Sequence, residues 1–298
     1  MIAKRCAKAR PSQRDALVRP SASAPASATI PKKSEAFAMA DEVIKIERHP
    51  NYITLALNRP EKRNAINIAM LEALDAAFTM TEGDPGIRAV IIRGEGRGFC
   101  SGLDLRDVER ASGARVGGGP AFAPDKILHR LQTLPVPAIA AVHGDVLTAG
   151  LVIALLCDLR IAAQSAKLGM TPARIGYLPT YAVFRRFTEI AGAANTAEIM
   201  YLAEPVDAAR AREMGLVHKV VPDDQLNAAA AQWAEKIAGN APLSVRAMKR
   251  MIGRTISRAF EAEHEDLNEL AVKVRSSADA KEGVRAFLEK RKAVWRGE

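Results

Sequence analysis

The feature that most constrains this chain is a series of short apolar runs, each ended by glycine or a turn and followed by a helical segment. Val43 to Glu47 and Tyr52 to Leu57 are rich in β-formers and flank His49-Pro50-Asn51, the signature of a hairpin. Helical periodicity from Ile68 to Thr81 is closed by Gly83. Ala89 to Ile92 and Pro137 to Val142 are too short for helices and are followed by glycine, as buried strands are. Leu159 to Ala162 and Val217 to Val221 read as further strands, and Asp223 to Arg291 is almost wholly helical. Within it, Asp279 and Glu282 form the pattern of a capping pair for the last helix. Alternation of this kind predicts an α/β fold rather than segregated halves. It divides the chain into an α/β core over residues 41–222 and a helical C-terminal part over 223–298, expected to serve assembly.

Residues 1–40 stand apart. They are rich in Ala, Ser and Pro and carry Lys4, Arg5, Lys8, Arg10, Arg14, Arg19, Lys32 and Lys33 against Asp15 and Glu35, most of the net charge of +9. They are expected to be disordered. The stretch reads either as an organelle transit segment or as an extension ahead of a translation start at Met39, and the second is preferred. Basic residues without interleaved aromatics do not make a nucleic-acid surface, so no such partner is expected. No run of ~18 apolar residues is present to cross a bilayer as a helix. Cys6, Cys100 and Cys157 are odd in number and lack metal-ligand spacing, which fits a reduced, cytoplasmic setting and no metal site.

Two glycine-broken strand ends stand out. Gly98-Phe99-Cys100-Ser101-Gly102-Leu103-Asp104-Leu105 follows one buried strand, and Val142-His143-Gly144-Asp145-Val146-Leu147-Thr148-Ala149-Gly150 follows another and opens an apolar helix ending near Cys157-Asp158. Backbone N–H groups are presented at such a helix start. The Gly-rich stretch Ala111 to Pro124 between them has no Lys-Ser/Thr successor and no strand directly before it, so it reads as a lid rather than a phosphate loop.

Together these segments resemble the two signatures of the enoyl-CoA hydratase/isomerase, or crotonase, superfamily. Asn58-Arg59-Pro60-Glu61-Lys62-Arg63-Asn64-Ala65, Cys157-Asp158-Leu159-Arg160-Ile161-Ala162 and Ala286-Phe287-Leu288-Glu289-Lys290-Arg291-Lys292 extend the resemblance over essentially everything after residue 41. It implies a crotonase-type ββα spiral core, with C-terminal helices packed across subunits in a homotrimer or a hexamer made of two trimers. It also implies an acyl-CoA thioester as partner, with no cofactor beyond the CoA of the substrate.

Deprotonating or attacking a thioester puts negative charge on its carbonyl oxygen, which two fixed N–H donors stabilise by several kcal/mol. The resemblance assigns those donors to Leu103 and Ala149; small residues at Ala149 and Gly150 let a thioester approach the backbone closely, and Gly102 supplies turn freedom. It places adenine against the backbone at Ser101 and Ala65, in a CoA-binding set that also includes Asp104, and the phosphates near Arg59 and Lys62. Lys290 matches a lysine reaching the CoA of a neighbouring subunit, and Phe287 an acyl-pocket position.

Hydratases of this family use two glutamates to handle water and its proton. The corresponding positions here are Val152 and Pro172, so ordinary two-glutamate hydration is not expected. Asp145 and Tyr181 are the candidate substitutes as acid or base, with Tyr177, Thr148 and His143 nearby in the same segments. The run Met170-Thr171-Pro172 with Ile175-Gly176 is similar to members that decarboxylate malonyl-type thioesters, and Arg174 is placed to meet a substrate carboxylate. Those members have Tyr directly after the next Pro, whereas here Thr180 separates Pro179 from Tyr181. Three readings stay open: another isomerase or lyase reaction, malonyl-type decarboxylation, and acyl-CoA binding without turnover.

Overall fold

A computed structural model describes residues 43–107, 124–256 and 265–296. The extension over residues 1–40 and the stretch 111–123 read as a lid lie outside the described residues.

The hairpin forms as expected. β1 (Ile44–Arg48) pairs antiparallel with β2 (Tyr52–Leu57), and the His49 and Tyr52 rings stack across the turn. β2, β3 (Ala89–Gly94), β4 (Ala138–Val142), β6 (Leu159–Ala163) and β9 (Lys219–Val221) then run parallel, giving a six-stranded sheet in the order β1-β2-β3-β4-β6-β9. Every residue of β2 and of β4 is buried, because both sheet faces are covered. On one face lie α1 (Ile68–Gly83) and α3 (Ala149–Leu156), with α2 (Pro124–Thr133) packed against α1. On the other, α6 (Leu226–Ala238) sets Leu226, Ala230 and Ala234 on Ile91, Ile139 and Ile161. The helical part expected from residue 223 therefore begins with a core helix.

A small second sheet, β5 (Asp145–Leu147), β7 (Lys167–Gly169) and β8 (Val206–Asp207), stands beside the first. α4 (Tyr181–Tyr201), α5 (Ala208–Glu213), α7 (Pro242–Ile256), α8 (Glu265–Ser276) and α9 (Ala278–Leu288) complete the described helices. α9 packs on the 3-10 turn Pro172–Ile175.

The expected Asp279/Glu282 capping pair does not form. Ser277 is the N-cap of α9, its hydroxyl accepting from the Ala280 N–H at 3.0 Å, while Asp279 accepts from the Arg296 N–H and Glu282 is bound by Arg285 and Arg291. Ser and Asp are both good N-caps, and the one closer to the helix start takes the role.

Buried polar groups lock the strands. Asp158 accepts from the Ala138 N–H at 2.7 Å and from Lys249 Nζ at 2.8 Å. Arg160, 4% exposed, donates to the Leu216 and Cys157 carbonyls, and burial lowers its pKa to about 10. Much of the Cys157-to-Ala162 motif thus serves strand assembly.

Candidate active site

The two glycine-broken segments meet. Cys100 and Val146 form a parallel bridge, with the Cys100 N–H donating to the Asp145 carbonyl and the Leu147 N–H to the Cys100 carbonyl, both at 2.9 Å. The first segment is held on its other side by Ile66, whose N–H donates to the Gly102 carbonyl and whose carbonyl accepts from the Asp104 N–H, each at 2.8 Å. In this pattern Leu103 sits opposite Ile66 and its own N–H takes no part in the pairing.

The second segment turns sharply into α3. The Thr148 N–H donates to the Gly169 carbonyl at 2.8 Å, and the Thr148 carbonyl accepts the first intrahelical bond, from Val152 N–H at 3.0 Å. The Ala149 N–H therefore precedes the first helical bond and is one of the orphan donors of the helix start. Thr148 itself has φ 50° and ψ −116°, a conformation that costs about 1–3 kcal/mol and persists only where surroundings enforce it.

Two glycines make the approach of the segments possible. Gly102 has φ +112° and faces the Thr148 hydroxyl so closely that a side chain would overlap it. A methyl group on Gly150 would lie 2.7 Å from Cys100 Cβ and closer still to its carbonyl oxygen. Gly102 and Leu103 are thereby brought beside Ala149 and Gly150, the arrangement that a thioester carbonyl oxygen between two N–H donors requires.

The other expected residues are spread around this centre. Arg59 donates to the Ala65 carbonyl at 2.6 Å and to the Asp104 carboxylate at 3.2 Å, both side chains largely buried. Three residues assigned to CoA are thus tied to one another and clamp the loop before Ile66. Asn64, fully buried, completes the clamp by donating to the Glu95 and Gly98 carbonyls. Ser101 N–H donates to the Arg63 carbonyl, and Lys62 is exposed. Phe287 and Lys290 are exposed at the end of α9.

Asp145 lies at the opposite end of β5 from Thr148, its carboxylate 3.5 Å from the Arg63 guanidinium and 41% exposed. Tyr181 is the first residue of α4, and the Tyr177 ring lies under the Arg275 guanidinium at 5.1 Å. Arg174 is exposed, and His143 donates from Nε2 to the Gly96 carbonyl, 3.0 Å away. Cys100, though adjacent, is no nucleophile: burial pushes its thiol up to about 12.

A cleft opens one turn below Ala149. Val152, Leu155 and Leu156 of α3 form one wall, Leu128 and His129 of α2 another, and Thr180, Val183 and Arg186 the third. Val152 thus faces the cleft, whereas Pro172 is buried as the first residue of its 3-10 turn. The Thr180 hydroxyl is buried and unpartnered. Thr180 and Arg186 were not singled out from the sequence. For Arg186 the signal was available: it stands three residues after Val183, on the buried face of α4.

A parallel sheet, an apolar helix opening at Ala149 and a facing glycine loop thus surround one site. Residues 47–298 match the family described as Enoyl-CoA hydratase/isomerase, and the chain belongs to that family. A probable enoyl-CoA hydratase of Bacillus subtilis (strain 168) is 32% identical over 251 residues, covering 79% of this chain and 92% of the relative. Among solved structures, an enoyl-CoA hydratase/isomerase from Pseudoalteromonas atlantica T6c superposes with a TM-score of 0.77 at 28% identity, covering 85% of this chain and all of the other. A methylmalonyl-CoA decarboxylase in complex with 2-nitronate-propionyl-CoA gives 0.78 at 25%, covering 86% and 99%. The crotonase fold and an acyl-CoA-binding enzyme of this family follow from these matches. Among the described residues no helix is long and apolar enough to cross a membrane.

Proposed function

We propose that the chain holds an acyl-CoA thioester with its carbonyl oxygen between the N–H groups of Leu103 and Ala149, and works on the resulting enolate without the paired-glutamate hydration of its relatives. The observation that carries this is the side chain at 152: an apolar valine on the cleft wall, one helical turn past the Ala149 donor, where a proton-transferring group would have to stand. Pro172 likewise offers no proton. The α3 dipole and two fixed donors stabilise the enolate oxygen by several kcal/mol. The carbonyl is polarised by backbone, and proton movement falls to hydroxyls or solvent in the cleft, where the buried Thr180 hydroxyl lines the wall facing Val152.

Malonyl-type decarboxylation is the more specific form of this reading, favoured by the likeness to the methylmalonyl-CoA decarboxylase. The bond from the α carbon to the carboxylate breaks, its electron pair flows into the thioester carbonyl, carbon dioxide leaves, and a proton then adds to the α carbon. No strong base is needed, in agreement with Val152. Arg59 and Asp104 shape the CoA loop, with Lys62 at its surface; Phe287 and Lys290 act across a subunit boundary in a homotrimer or hexamer.

Crotonyl-, malonyl-, methylmalonyl- and longer acyl-CoAs incubated with the protein and followed by mass spectrometry test the reading. Turnover of a malonyl-type thioester without hydration of crotonyl-CoA is expected. Robust crotonyl-CoA hydration would overturn it, and thioester binding with no turnover of any kind would leave a carrier rather than an enzyme.

A further inference from the structure

The cleft below the thioester site is apolar along α3 and ends in a buried cation. Helical spacing puts Ala149, Val152 and Leu155–Leu156 on one face of α3, so the wall runs continuously from the N–H donor to the last turn of the helix. At that end Arg186 donates from Nε to the Leu155 carbonyl at 2.8 Å. Its side chain is only 13% exposed, and its nearest carboxylate, Glu189, stands 3.9 Å away. The other oxygen of Glu189 is held by Arg185 at 2.7 Å, so the acid is shared. Asp158, which also favours the Arg186 charge, is bound by Lys249, and the charge of Arg160 opposes it. Burial depresses the pKa of Arg186, the sign of a cation short of compensation.

A guanidinium in this position has unused donors in a fixed planar fork, matched to a carboxylate in bidentate geometry. A buried charge of this kind is stabilised by an opposite charge delivered with the ligand. Thr180, with its buried unpartnered hydroxyl, and His129 add polar groups to the same cleft. We infer that Arg186 makes this site selective for CoA thioesters whose acyl chain carries a carboxylate at its far end. The inference rests on the placing of the thioester carbonyl at Leu103 and Ala149. Six residues of helix separate Ala149 from Leu155, about 9 Å at ~1.5 Å per residue. With C–C bonds of ~1.5 Å, the five bonds of a six-carbon acyl chain reach at most about 7.5 Å, and the hydrogen bonds of ~2.9 Å at its two ends cover the remainder.

Adipyl-CoA and hexanoyl-CoA have equal carbon counts and differ in the terminal carboxylate, so their affinities, measured by calorimetry on the full chain, isolate its contribution. The parent protein is expected to bind adipyl-CoA at least about tenfold more tightly. Arg186→Met should bring that ratio near one, and Arg186→Lys should restore part of it. Should the methionine variant fail to fold, Arg186→Gln, which keeps a donor for Leu155, reads the same ratio. Equal affinities in the parent, or a preference that survives loss of the guanidinium, would overturn the inference and leave the thioester site standing. Binding of neither thioester would bring down both.

Discussion

Replacing Gly150 with alanine probes whether the two segments act as one constellation. The new methyl would lie 2.7 Å from Cys100 Cβ, where carbon atoms pack at about 3.5–4.0 Å, so α3 and the Cys100-to-Leu103 loop must separate by about 1 Å. Overpacking of this kind costs about 1–3 kcal/mol, offset by about 1 kcal/mol because alanine is the better helix former. The net loss of stability is therefore about 0–2 kcal/mol, and the protein should fold. Its function should not survive equally well, since a displacement of about 1 Å at reacting groups costs roughly a hundredfold. A conjugated aryl-enoyl-CoA, whose absorbance moves to the red when its carbonyl is polarised, reports directly on the two donors. Gly150→Ala should bind it with a much smaller red shift and lose roughly a hundredfold in any turnover. A folded variant that polarises the chromophore as fully as the parent would refute the pairing of Leu103 with Ala149.

Two further perturbations address what holds the strands in place. Lys249, 8% exposed, donates to Asp158 and to the Val136 carbonyl, each at 2.8 Å, so Lys249→Met should destabilise the fold by about 2–3 kcal/mol in urea unfolding, below the value for a fully buried pair because Asp158 is about a third exposed; a loss under about 0.5 kcal/mol would show that the pair anchors nothing. His218 accepts the Arg160 N–H at Nδ1, and burial together with Arg160 lowers its pKa from 6.5 to about 4. The unfolded chain then takes up the proton first on acidification, so stability should be lost as pH falls from about 6.5 toward 4 and be unaffected above. His218→Gln should flatten that slope in denaturation midpoints measured across the window, and an unaltered slope would assign it to other groups.

The strand ends and the start of α3 were legible because fully buried parallel strands and an all-apolar helix announce themselves in composition. Ala149-Gly150-Leu151-Val152-Ile153-Ala154-Leu155-Leu156 has no polar face, so it can only lie inside, and its first residue is fixed by the end of β5. What the sequence hid is set by tertiary contacts. Arg59 reads as a candidate phosphate ligand, and its pairing with Asp104, 45 residues away, has no local signal. The cap of α9 was misplaced by two residues because Ser277 and Asp279 are chemically similar caps and only the backbone path chooses between them. The left-handed Thr148 had no signature at all, since threonine disfavours positive φ and nothing local marks it.

That strained threonine also bears on how the site divides its tasks. Its conformation is enforced by the Gly169 bond, by the Gly102 contact and by the first bond of α3, all of them backbone or steric contacts within the core. On the proposed reading, the donors at Leu103 and Ala149 are held by the same backbone contacts, with the Arg59, Asn64 and Asp104 side chains clamping the loop beside Leu103. Side chains on the cleft wall can therefore change without dismantling the means of polarising a thioester. On the proposed reading, Val152 on the cleft wall is such a position, Pro172 sits apart from it in a 3-10 turn, and Thr180 and Arg186 add polarity to the cleft. If the proposed reading holds, the choice of reaction and acyl group rests on these four cleft and turn positions, while the enolate-stabilising geometry rests on the fold. Substitutions at Val152 or Arg186 should consequently alter which thioester is processed before they alter whether one is polarised.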